Sequence, residues 1–204
     1  LYAVNGVGSV LGALASGFVL IPHLGTLESL RLNALLCLAL ALAAAMMRFG
    51  RPSLRRAGRP AHLAMAAALL VALASLAIPS QLIRERITSS RPGTNLFYKE
   101  GAAGLVEVYD RVGVEGNHYR KLYDNGTSYA GSTQNGRRYH KLLGHLPALL
   151  HPAPSTGLVI GFGSGITFGA MMLDPRIERV DCVELSPEVL EASRFFAQDN
   201  GSAP

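Results

Sequence analysis

The sequence predicts an α-helical transmembrane front followed by an α/β part, in which a small β-hairpin module precedes the start of a parallel sheet. Three observations predict it. The chain has 204 residues, 49% hydrophobic and 16% charged, and its apolar residues are concentrated in the first eighty positions instead of being spread as in a globular chain. The charge divides the same way: residues 1–93 carry nine Arg and two Glu, for +7, whereas residues 94–204 carry ten basic and twelve acidic side chains, for −2. After the apolar front, short alternating strands, turn residues and glycine loops succeed one another as in βαβ units.

The front holds three runs, with predicted helices at 1–21, 30–48 and 62–83. Leu1 to Ile21 has no charged side chain, and about 20 residues at 1.5 Å each cross the hydrocarbon core. A cleaved signal peptide is the rival reading. The missing basic start and the small-residue stripe Gly8, Gly12, Ser16 favour a helix packed in lipid instead. Leu32 to Met47 is shorter, but Arg31 and Arg48 can snorkel outward and let it span. Leu63 to Ile83 is again free of charge and ends near Pro79, which kinks or finishes it.

Arg48, Arg51, Arg55, Arg56 and Arg59 lie between the second and third runs, and such loops stay cytoplasmic. Three full crossings would then place the turn at 22–29 and everything after Ile83 outside. That conflicts with a ligand made in the cytosol, argued below. The predicted location is a multi-pass inner-membrane protein with its α/β part cytoplasmic, against the positive-inside count. The net charge of +5 thus reports arginines flanking apolar segments. Nucleic acid is excluded as a partner because no basic stripe with interleaved aromatics occurs. Cys37 and Cys182 are too few and too far apart for a disulfide framework or a zinc site, and no metal is expected. The absence of Met at Leu1, and the stop at Pro204 just after a helix begins, lead us to expect truncation at both ends.

The domain plan is membrane helices over 1–88, a linker at 89–96, a β module over 97–135 and an α/β part over 136–204. Leu105 to Tyr109 and His118 to Tyr123 alternate as strands, and Asp124-Asn125-Gly126 is a hairpin turn, since Asn and Gly tolerate positive φ. Arg138 to Leu150 has leucines at helical spacing before Pro152 and Pro154. Strand 158–160, a glycine loop, helix 166–173, strand 180–184 and helix 187–198 follow.

The candidate site is VIGFGSGIT, with Gly161, Gly163 and Gly165 between strand and helix. Glycines let the backbone turn sharply and approach a ligand, and the helix amino-terminus beyond supplies free amides. Glu184 lies nineteen residues after Gly165, at the carboxyl end of the next strand in VDCVELSPEV. A carboxylate there accepts both hydroxyls of a ribose. Together the two elements point to an adenosine-containing ligand.

From about Phe97 to Asn200 the chain resembles spermidine synthases (polyamine aminopropyltransferases), and its apolar front looks like the membrane-fused bacterial versions. The matching stretches, in order, are YDNG, YHKLLGHLPALLHPAP, VIGFGSGIT and VDCVELSPEVLEASRFF. The resemblance implies a Rossmann-like, methyltransferase-type sheet after the β module. It also implies transfer of an aminopropyl group from decarboxylated S-adenosylmethionine to putrescine, with a homodimer as one assembly open to it. It assigns nucleoside binding to Gly161, Gly163, Ser164, Gly165 and Glu184, and the amine side to Tyr139, His140 and His145. The catalytic Asp region of that family is expected beyond Pro204, so the catalytic residues are unknown here.

Three departures qualify the resemblance. Ser164 stands where the family's glycine loop has an acid that neutralises the substrate ammonium. Lys141 stands where Glu is common, and Tyr129 where a hairpin Gln is expected. All three reduce the expected anionic character of the pocket. The same scaffold also admits an S-adenosylmethionine-dependent methyltransferase-like enzyme with another acceptor. A third reading is a transporter-like or ligand-sensing membrane protein that binds without catalysis.

Overall fold

The structure is a computed structural model that describes residues 2–53, 59–79 and 81–202. It divides into two compact units, Leu1–Ser90 and Arg91–Pro204.

The first unit is helical: α1 (Tyr2–Ala15), a π turn (Ser16–Leu20), α2 (Ile21–Leu24), α3 (Thr26–Ser53), α4 (Arg59–Ala77) and α5 (Gln81–Ser89). Tyr2–Leu24 and Thr26–Ala44 are long and apolar enough to cross a membrane, by length and composition. The turn expected over 22–29 contracts to Gly25 alone, at φ +80°, because the helix continues from the π turn through Pro22 to Leu24. A Cβ placed on Gly8 or Gly12 would meet no atom within 4 Å, whereas Ser16, the third residue of the small-residue stripe, accepts from Asn33 Nδ2 at 3.5 Å. Arg31 does not reach outward: it pairs with Glu28 at 2.6 Å and donates to the Ile78 carbonyl. The run expected over 62–83 is divided around Pro79, with α4 ending at Ala77 and Ile83 belonging to α5. The arginine-rich stretch that carries the topology argument lies, at 54–58 and in the side chains flanking it, outside the described residues.

The second unit opens with a four-stranded antiparallel meander, β1 (Thr94–Gly101), β2 (Gly104–Val112), β3 (His118–Asp124) and β4 (Thr127–Gly131). β1 begins inside the predicted linker. A register shift between Asn95 and Phe97 breaks the alternation by which a strand is recognised. Asn125 and Gly126 form the β3–β4 turn with φ of +48° and +83°, the two-residue geometry that an Asn-Gly pair favours. The Asn125 side chain also accepts from Leu105 N at 3.0 Å and donates to the Ala103 carbonyl at 3.1 Å, tying this turn to the β1–β2 hairpin.

Helix α6 (Gln134–Leu150) starts four residues before the predicted Arg138, because Thr133 caps it by accepting from Gly136 N at 3.1 Å. Strands β5 (Thr156–Ile160) and β6 (Arg179–Val183) pair in parallel, with α7 (Ile166–Met172) as the crossover. α8 (Pro187–Ser193), a 3₁₀ turn (Arg194–Phe196) and α9 (Ala197–Asn200) complete the unit. Gly144 lets α6 lie against α7, since a Cβ there would stand 2.5 Å from the Thr167 carbonyl oxygen.

The predicted boundary at 135/136 does not separate two cores. Val106, Val108, Leu122 and Ala130 of the meander pack with Val189, Ala192 and Phe196 in one buried cluster. The meander's other face buries Glu107, which accepts from the Tyr109 hydroxyl at 2.7 Å and lies 3.5 Å from the Arg91 guanidinium. Burial and the neighbouring Glu107 carboxylate push the Tyr109 phenol well above its usual range.

Candidate functional site

Parallel pairing of β5 with β6 sets the site. Ile160 stands opposite Val183, and Gly161 N donates to the Val183 carbonyl at 2.8 Å. The next residue on β6 is Glu184, so its carboxylate arrives beside the glycine loop. It accepts from Phe162 N at 2.7 Å through Oε2 and from Ser186 N at 3.0 Å through Oε1. Each oxygen keeps lone-pair capacity for a further donor, which is what a vicinal diol supplies.

The three glycines differ in what they do. Gly161 and Gly163 have φ of +83° and +55°, and a Cβ on either would enter open space or ordinary contact, so at these two the backbone conformation requires glycine. Gly165, at φ +76°, would also place a Cβ 2.9 Å from the Phe162 ring. Ser164 is buried, and its carbonyl accepts from Asn200 Nδ2 at 3.0 Å.

Gly161, Phe162, Gly163, Ser164 and Glu184, but not Gly165, line a cavity of about 510 Å³ that also takes in Asp124, Tyr129, Tyr139 and His140. A second cavity of about 480 Å³, between α6 and β5, shares some wall residues but contains neither Glu184 nor the glycine loop. The site is therefore assigned to the first. Tyr139 and His140 stack edge to face at 5.3 Å. Burial holds the His140 imidazole below its usual pKa, partly opposed by a hydrogen bond to the Tyr129 backbone.

Two expected contributors lie elsewhere. His145 does not line the cavity; it follows His140 by five residues, which rotates it about 140° around the helix axis. Lys141 faces a different hollow, beside Phe168 and Asn200, so it adds no positive charge here. Asp124, read from sequence only as a turn residue, belongs to the cavity wall. Burial, and then the Glu184 carboxylate, push its pKa up.

No family model matches the chain. A polyamine aminopropyltransferase from Corynebacterium efficiens is 31% identical over 210 residues, covering all of this chain and 38% of its own length. One from Methanocaldococcus jannaschii is 43% identical over 58 residues, 28% of this chain and 20% of that protein. Putrescine N-methyltransferase 2 of Nicotiana tabacum is 40% identical over 93 residues, 46% of this chain and 26% of that one. The chain thus spans well under half the length of each of these relatives. Matched from end to end by one such protein and at higher identity over a shorter stretch by another, the chain is similar in sequence to polyamine aminopropyltransferases.

Proposed function

We propose that this chain is part of a membrane-anchored aminopropyltransferase that moves the aminopropyl group of decarboxylated S-adenosylmethionine to putrescine. The observation that carries the reading is the Glu184 carboxylate, fixed by two backbone amides beside a glycine loop and open to a cavity of nucleoside size. Glu184 would hold the ribose diol, while Gly161 and Gly163 leave room for the nucleoside above the loop. The amine nitrogen attacks the propyl carbon next to sulfur. A C–N bond forms, the C–S bond breaks, methylthioadenosine leaves with the bonding pair, and the amine loses a proton. His140, whose charged form is disfavoured by burial, offers a ring nitrogen to an amine. Tyr139 at its edge would complete that side of the pocket.

Two features support the membrane anchor. The Tyr2–Leu24 stretch is apolar, and Val4, Val7, Leu11 and Phe18 are exposed on it, a surface that water disfavours and lipid accepts. The donor is a cytosolic metabolite, which puts the second unit on the cytoplasmic side of the inner membrane.

The tobacco relative favours a second reading, methyl transfer to an amine from S-adenosylmethionine on the same scaffold. One assay separates the two: the whole protein, in detergent micelles, is given putrescine with either donor, and the product is weighed by mass spectrometry. Spermidine formed from the decarboxylated donor is expected. N-methylputrescine from the other donor, or no product from either, would refute the aminopropyl reading.

A further inference from the structure

The cavity beside Glu184 has an electrostatic feature that a neutral nucleoside does not use. Two carboxylates, Asp124 and Glu184, line it, and among the described lining residues there is no lysine or arginine. Glu184 is satisfied by its two amides. Asp124 is not: its Oδ1 is buried and has no hydrogen-bond partner. An unpartnered carboxylate oxygen held out of water is costly unless a donor arrives from elsewhere.

The strand register explains how it comes to be there. Leu122 and Asp124 are two apart on β3 and share a face of the sheet. Leu122 belongs to the buried cluster and also lines the cavity. Asp124, the last residue of β3, therefore extends from the core-facing side onto the cavity wall. It pairs with Thr127 across the turn, and the hydrogen-bonding work of that turn is done by the neighbouring Asn125. Among the described residues, none partners the buried Oδ1 of Asp124.

We propose that Asp124 is a specificity-determining residue of this site: its carboxylate receives the ammonium group of an aminoalkyl nucleoside whose sugar diol is held by Glu184. The inference rests on the nucleoside reading above and adds to it the source of the negative charge. The glycine loop, with Ser164, offers no carboxylate, so the hairpin supplies it. A neutral nucleoside would satisfy Glu184 alone and leave Asp124 unpaired, whereas a cationic one satisfies both.

The test is calorimetry on the whole protein in detergent micelles with two probes, neutral methylthioadenosine and cationic decarboxylated S-adenosylmethionine. The unaltered chain should bind the cationic probe roughly 10- to 100-fold more tightly, the range for a hydrogen bond to a charged group. Asp124→Asn should erase that preference and leave methylthioadenosine affinity unchanged. A preference that survives in Asp124→Asn, or affinities for both probes that fall together, overturns the role given to Asp124. Equal affinities in the unaltered chain overturn it without any variant. Failure of the unaltered chain to bind either probe is a different result: it overturns the nucleoside reading, and this inference with it.

Discussion

Removing the Glu184 carboxylate tests the site at its centre. Glu184→Ala deletes the acceptor of two backbone amides, those of Phe162 and Ser186, at 2.7 and 3.0 Å. Both residues are themselves buried. Hydrogen bonds to a charged group are each worth about 1.5–3 kcal/mol when no substitute exists. The cavity admits water to this spot, so the stability cost should fall near the low end, about 3 kcal/mol for the pair. Ligand affinity should drop further, because the ribose hydroxyls lose their acceptor: about 1–3 kcal/mol, or roughly 5- to 150-fold in Kd. Glu184→Gln is not a neutral control. An amide presents one acceptor and one donor, so either the Phe162 or the Ser186 amide faces an N–H group. It should lose about half the stability and most of the affinity. The assay is titration calorimetry with methylthioadenosine, alongside thermal unfolding of the same samples. Equal affinity in Glu184→Ala and the unaltered chain, with unfolding showing both folded, would refute the assignment of Glu184 to the sugar.

The same structure supports two further expectations. Gly144→Ala should destabilise the second unit by about 1–2 kcal/mol net. The new methyl would lie 2.5 Å from the Thr167 carbonyl oxygen and 2.9 Å from Ala170 Cβ, an overpacking cost that exceeds the roughly 1 kcal/mol helix-propensity gain of Ala over Gly; equal or higher unfolding temperature would show that α6 and α7 do not meet there. Asp124→Asn should raise the unfolding temperature at pH 8. Burial and Glu184 raise the folded-state pKa of Asp124, so the folded protein binds that proton more tightly than the unfolded chain. The penalty is then absent below the unfolded carboxylate value near 4 and grows as pH rises through the folded one. The advantage of the variant should therefore vanish in acid, and a lower unfolding temperature at pH 8 would contradict it.

The parts of the site that sequence made legible were those fixed by local chain geometry. The glycine loop shows itself because positive φ at 161, 163 and 165 demands glycine, and Glu184 because the residue after a parallel strand falls beside that loop. The Asn125-Gly126 turn is visible for the same reason. What sequence concealed depended on which way a side chain faces once distant elements pack. The resemblance places His145 on the amine side and Lys141 where the family has Glu, yet successive helical residues turn by about 100°, and neither reaches the cavity. Asp124 was hidden by its own turn signal. One cue was available, since it follows the core residue Leu122 by two positions on a strand, and a carboxylate on the core-facing side of a strand calls for an explanation. The start of α6 was missed because its cap, Thr133, precedes the helical pattern of leucines, and β1 because its bulge breaks alternation.

The meander shares one core with α8 and the 3₁₀ turn that follow β6. Leu122 and Ala130 pack with Val189 and Ala192. Asp124 follows the first of these by two residues and Glu184 precedes Val189 by five, and both carboxylates line the same cavity. Two like charges placed this way oppose folding, as the upward shift of Asp124 by burial and by Glu184 records. A neutral side chain at 124 would keep the hairpin, whose turn depends on Asn125 and Gly126, and would remove the repulsion. The arrangement is therefore poorly explained by stability and well explained by a ligand that brings a positive charge with it. On this view, binding of such a ligand and stability of the second unit are linked: the cation that fills the cavity removes the repulsion, and a ligand without charge leaves it in place.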